Sequence, residues 1–230
     1  MSGDSETSES VSLSRDWRER LSVSRDLGTG FAAPGGEFTR ALYEWALTDQ
    51  GGFLKDLLAG RRVVELGAGM MPYGYALAAT CGARNFVAVE PFYADKQSLS
   101  LSTFTGQPGQ SVPRIPYKVK DQDMLAYLQE EADDLLCVVA CGIEDCILPG
   151  ADYRARVESE IRRVLEPDAF FLSSHSDLYP KDLKTVEITV EITYLRPSKP
   201  KVRDRLRLHG AKDAYERYGD RIEDLLVSNS

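Results

Sequence analysis

Nowhere does the sequence approach the roughly 20 consecutive apolar residues that span a bilayer; its longest apolar run, residues 135 to 141, is LLCVVAC. No membrane partner is expected. The amino terminus also lacks the charged-then-apolar layout of a secretory signal, so the expected compartment is the cytoplasm. Positive charge is in the minority, with 28 Lys and Arg against 36 Asp and Glu for a net charge of −8. That balance argues against broad attraction to nucleic acid or anionic lipid. Cysteine is sparse as well. Of Cys81, Cys137, Cys141 and Cys146, the last three fall in or just after one apolar stretch. They make neither a spread disulfide framework nor the paired C-x-x-C spacing of a zinc site, so buried reduced thiols and no metal are expected. Internal repeats are absent too.

What is present can fold. An apolar content of 43% over 230 residues supports a core of ordinary size. Residues 1 to 12 are rich in Ser, Glu and Asp with almost nothing to bury, and residues 13 to 36 mix Trp17, Leu21 and Phe31 with four arginines and four glycines. Residues 1 to 36 therefore read as a polar, partly disordered extension, either a lid over a site or a plain surface helix and loop. Residues 37 to 230 read as the folded domain.

The domain is organised around residues 62 to 90. An apolar run from Val63 stops at Glu65-Leu66-Gly67-Ala68-Gly69, a helix-compatible segment leads through Gly82, and a second run, Phe86 to Val89, ends at Glu90. This is strand, glycine turn, helix, strand, acid. Two glycines permit a tight turn and close approach of a ligand to backbone. An acid 21 residues after Gly69 can accept two hydrogen bonds from a ribose diol. Dinucleotide folds want a third glycine where this chain has Pro72, and Glu65 would repel a pyrophosphate while suiting a cation. A sulfonium with an amino-acid tail fits better.

These residues resemble the first two binding motifs of the class I S-adenosylmethionine-dependent methyltransferases, with one departure: Met71 stands at the third glycine of the usual acid-x-Gly-x-Gly-x-Gly. The resemblance extends over residues 37 to 210. It implies S-adenosylmethionine as cofactor, with Glu90 on the ribose, Asp123 on the adenine amino group and Met124 against the ring. Asp123 would equally serve as a helix cap. Glu65, Gly67, Ala68, Gly69, Pro91 and Cys141, all at strand tips, complete the expected cofactor-binding set.

Helical spacing marks Phe38 to Ala46 and Phe53 to Leu58, with Gly60 as the stop. A helix over 92 to 104, a weak strand from Pro116, a helix after Asp123, a fully buried strand at 135 to 141, a helix capped by Asp152, and a strand at Ala169 to Ser174 follow. Val186, Ile188, Val190 and Ile192 alternate with polar residues as an edge strand with one wet face; Leu206 and Leu208 mark a last strand, and Tyr215 to Leu226 a helix interrupted at Gly219. The fold class is α/β: a doubly wound, mostly parallel seven-stranded sheet with an antiparallel C-terminal strand, in a single domain.

Methyl transfer from a sulfonium is an in-line displacement that needs alignment and, for a hydroxyl or protonated amine, a base. His175 at a strand tip is the candidate base; Glu144 and Asp145, after the central strand, are candidates for holding the acceptor. The Asn/Asp-Pro-Pro-aromatic signature of DNA-adenine and some protein methyltransferases is missing there. A small-molecule acceptor modified on oxygen or nitrogen is therefore expected, and nucleic acid is not. Against this, Arg196, Lys199, Lys201, Arg203, Arg205 and Arg207 form a basic run, either a solvated hairpin face or an anion contact. Two other readings stand beside the enzyme: a methyltransferase-like scaffold acting through a protein partner, and a nicotinamide-dependent oxidoreductase. The sequence sets no oligomeric state.

Overall fold

The computed structural model describes residues 34–106, 111–192 and 202–228. Its strands are β1 (Arg62–Leu66), β2 (Asn85–Val89), β3 (Tyr117–Lys120), β4 (Cys137–Cys141), β5 (Phe170–Ser174), β6 (Lys184–Ile192) and β7 (Val202–Gly210). The helices are α1 (Pro34–Ala46), α2 (Phe53–Leu58), α3 (Tyr73–Thr80), α4 (Ala94–Thr103), α5 (Met124–Glu130), α6 (Ala151–Val164) and α7 (Lys212–Ser228). The expected lid over residues 13 to 36 falls outside the described residues up to Pro34, where α1 begins.

All seven strands join one sheet in the order β3-β2-β1-β4-β5-β7-β6. β1 to β5 run parallel, and β7 enters antiparallel between β5 and β6. This is the doubly wound sheet the sequence calls for. Every residue of β4 is buried, as its unbroken apolar run requires when helices cover both faces. β6 lies at the edge, with Ile188 and Val190 buried and Glu187 and Thr189 exposed, so its alternation reflects one covered and one wet face.

Two expectations about helices fail. Asp152 does not cap α6; Gly150 precedes the helix and Asp152 sits in its first turn, where a carboxylate still favours the positive end of the helix dipole. Gly219 does not interrupt α7, which runs unbroken because Ala214, Tyr218, Ile222 and Leu225 bury one stripe and outweigh the roughly 1 kcal/mol that an interior glycine costs. No helix among the described residues is long and apolar enough to cross a membrane.

The amino-terminal end of the sheet is held by ion pairs. Buried Arg61 pairs with Glu166 and with Asp168 (2.8 Å), and Asp168 also pairs with Arg217 of α7. The carboxyl ends of the parallel strands, by contrast, gather loops and α1. Because β2 and β4 flank β1 on opposite sides, the reversal of strand order leaves a crevice at the β1 and β4 tips, where ligands of such sheets bind.

Candidate functional site

The turn after β1 is built on two glycines in left-handed conformation, Gly67 (φ +66°) and Gly69 (φ +65°), which side-chain-bearing residues rarely adopt. The N–H groups of Gly67 and Ala68 both donate to the Val89 carbonyl (2.9 and 3.2 Å), pinning the turn to the end of β2. The two glycines face different surroundings. A Cβ on Gly67 would lie 2.5 Å from Ile143 Cδ1, whereas one on Gly69 would meet nothing within 4 Å. Close approach to backbone is therefore open at Gly69, while Ile143 closes over Gly67. Met71, in place of a third glycine, is 41% exposed. The Ser100 hydroxyl donates to the Met70 carbonyl (2.7 Å) and the Gln97 amide lies against the Met70 and Met71 carbonyls, so α4 holds this loop through its backbone.

Glu90 is buried and points at the turn: its Oε2 accepts from Gly69 N–H (2.7 Å), and its Oε1 accepts from Phe92 N–H (2.7 Å) and Tyr93 N–H (3.1 Å). A carboxylate offers about four acceptor positions, and three are taken. The two-hydroxyl grip on a ribose expected from the sequence therefore requires one backbone bond to give way. Burial raises the Glu90 pKa, and the three N–H groups pull against that rise.

Glu65 is buried as deeply. Its Oε1 accepts from the Thr39 hydroxyl of α1 (2.7 Å), while Oε2 has no hydrogen-bond partner among the described residues. Loss of water pushes its pKa up to about 8, the Thr39 bond opposes the shift, and the charge of Glu90 adds to it. Gly74, in the first turn of α3, leaves the space this carboxylate occupies.

Asp123 takes the capping role: its Oδ1 accepts from Ala126 N–H (2.9 Å) at the start of α5, and its Oδ2 accepts from the Tyr153 hydroxyl (3.0 Å). Met124 beside it is buried, as are Pro91 and Cys141 at the β2 and β4 tips. Burial pushes the Cys81 and Cys137 thiols up to about 12, which makes them inert.

On the β4 and β5 side the loops are tied together. Gly142 N–H donates to the Ser174 carbonyl (3.0 Å), Asp177 N–H to the Ile143 carbonyl (2.8 Å), and Asp145 N–H to Asp177 Oδ2 (2.8 Å). Glu144 is exposed there. Arg154 grips both oxygens of Asp145 (2.5 and 2.7 Å), which tells against Asp145 as the holder of a cationic acceptor. His175 is exposed with φ +48°, a conformation that costs a non-glycine residue about 1 kcal/mol or more. Its ring stacks on Phe38 of α1, centroids 3.8 Å apart.

Of the basic run, Arg205 and Arg207 both pair with Glu187 across the β6–β7 hairpin (3.3 and 3.2 Å), favouring the solvated-face reading. Arg196, Lys199 and Lys201 lie outside the described residues. Sequence reasoning missed Thr39, Gly74, Ile143 and Tyr153. None belongs to a local pattern; each acts on a residue at least nine positions away.

No family model matches the chain, and no curated protein matches it. Solved structures do. Spermidine synthase from Thermotoga maritima is 10% identical over 82% of this chain and 70% of that one, with a TM-score of 0.48. A mutant of MtNAS in complex with S-adenosylmethionine is 14% identical over 88% and 72%, TM-score 0.46. An rRNA methylase from Streptococcus thermophilus is 11% identical over 70% and 93%, TM-score 0.45. At this level the likeness is one of sheet and helix layout, and it extends no further.

Proposed function

We propose that the chain binds S-adenosylmethionine at the β1 and β2 tips and transfers its methyl group to an oxygen or nitrogen of a small acceptor. The observation that carries this reading is a pair of buried acids, Glu65 and Glu90, without an ion-pair partner among the described residues. Buried charge is ordinarily answered by opposite charge. A ligand with a sulfonium and an ammonium answers it, and a pyrophosphate aggravates it.

The residues fit such a ligand. Glu65 offers an unpartnered oxygen, Glu90 one remaining acceptor position for a ribose hydroxyl, and Gly69 an approach unobstructed by any side chain. When bound, the donor supplies a methyl group already activated by positive charge. In this reading the proton of the acceptor passes to His175, whose ring stacks on Phe38.

Titration calorimetry with S-adenosylhomocysteine tests the binding half. Heat with micromolar affinity, and none with NADH, is the expected result; no heat at high micromolar ligand removes the proposal. Labelled methyl transfer then tests the acceptor, on a panel that includes RNA because one of the similar structures is an rRNA methylase.

A second reading, a scaffold that works through a protein partner, is favoured by the three N–H bonds that occupy Glu90 and by Ile143 over Gly67. Recovery of a stoichiometric partner together with no binding of S-adenosylhomocysteine selects it.

A further inference from the structure

The buried carboxylate of Glu65 faces few groups that bear on its charge. Helix α1 contributes the Thr39 hydroxyl; its Arg40 and Glu44 are bonded to each other (2.7 Å). Helix α3 contributes Gly74, with no side chain, and β4 contributes Val139, paired in register with Glu65. From the β2 tip comes Glu90, a second carboxylate. The surroundings thus hold one hydroxyl donor, one like charge and no cation among the described residues, and Glu65 Oε2 is left without a partner. An ionised carboxylate in such a place is far costlier than a protonated one.

We infer that Thr39 is a positioning residue that holds Glu65 ready to exchange its proton for the ammonium group of the bound ligand. This rests on the adenosyl reading above. In the free protein the Glu65 O–H bond is intact; when the ammonium arrives, that bond breaks, the proton leaves to solvent, and the electron pair stays on the carboxylate, now ion-paired. Thr39 matters because its hydroxyl stabilises the ionised form and fixes Oε1, leaving Oε2 as the atom that meets the cation. It also joins α1 to the site, since the bond has to persist or re-form around the ligand. The Glu65 pKa, raised to about 8, agrees with a proton being present to release at pH 7.

The consequence is a measurable proton release linked to binding. Calorimetry of S-adenosylhomocysteine binding at pH 7 in phosphate and in Tris, whose ionisation heats differ widely, reads the number of protons directly. About one proton released per ligand is expected for the native chain. Glu65→Gln should bind more weakly and release none. Thr39→Val should bind about tenfold more weakly at pH 7, with the rise of affinity displaced to higher pH, and Thr39→Ser should restore both. A purely structural Thr39 would lower the unfolding temperature without moving the pH profile. Tight binding with no proton released overturns the inference and leaves the adenosyl reading intact. Absence of binding by the native chain overturns that reading itself.

Discussion

Gly74 and Glu65 cannot both carry a side chain in the space they share: a Cβ on Gly74 would lie 1.9 Å from Glu65 Oε2 and 2.5 Å from its carboxyl carbon. The strand-tip acid thus has its place because the first turn of α3 leaves it one. Gly74→Ala forces the carboxylate to swing away and break its bond to Thr39. Overpacking of this kind costs about 1 to 3 kcal/mol, and binding of S-adenosylhomocysteine should weaken by more than the stability loss accounts for. Chemical denaturation and calorimetry on the same preparation separate the two effects.

Gly219 is the matched control. It lies inside α7, and a Cβ there meets nothing within 4 Å. Gly219→Ala should stabilise the protein by about 0.5 to 1 kcal/mol, because alanine gives up less backbone freedom on folding. Ligand affinity should not change.

Glu90 ties three N–H groups from two loops, so its carboxylate is structural before any ligand arrives. In Glu90→Gln one oxygen becomes an amide nitrogen, which cannot accept, and at least one of those N–H groups is stranded in a buried site. A loss of about 1 to 3 kcal/mol follows. Unfolding at pH 7 reads it, and loss of S-adenosylhomocysteine binding should accompany it. A variant as stable as the native chain would show that these three bonds contribute little.

The parts legible in sequence were those written as local periodicity. The unbroken run of β4, the alternation of β6 and the glycine turn between Leu66 and Met70 each announce themselves within a few residues. The tertiary relationships are different. Thr39 meets Glu65 across 26 positions, and nothing near either residue marks the pair. Asp123 precedes an apolar helix, and both a cap and an adenine contact call for an acid at that point, so its bond to Ala126 N–H had to be seen. Gly219 looks like a break in isolation, and only the packing of α7 shows that it is not.

His175 combines a left-handed backbone with a ring stacked on α1 at the β5 tip. Asparagine tolerates that backbone, so His175→Asn should fold normally. If His175 is the base, turnover falls by about 100-fold or more while S-adenosylhomocysteine affinity stays. Turnover within about threefold of native would leave His175 as a packing partner of Phe38 alone.

His209 makes the last prediction, on stability rather than activity. It is fully buried in β7, with Nε2 bonded to the Ser173 hydroxyl (2.9 Å), Nδ1 to the Thr185 hydroxyl (2.8 Å), and its ring stacked on Phe171. Burial, helped by the charge of Arg207, lowers its pKa from 6.5 to about 4. Above pH 6.5 neither folded nor unfolded chain is protonated at this site, and its contribution to stability is whole. Between pH 6.5 and 4 the unfolded chain holds the extra proton, so stability falls as the pH is lowered, by about 3 kcal/mol over that window for this one group. His209→Gln, which keeps a donor and an acceptor but does not titrate, should flatten the corresponding part of the stability curve. Equal slopes for variant and native chain between pH 6.5 and 4 would mean that the imidazole is protonated in the folded protein, and the neutral Ser173–His209–Thr185 arrangement would be wrong.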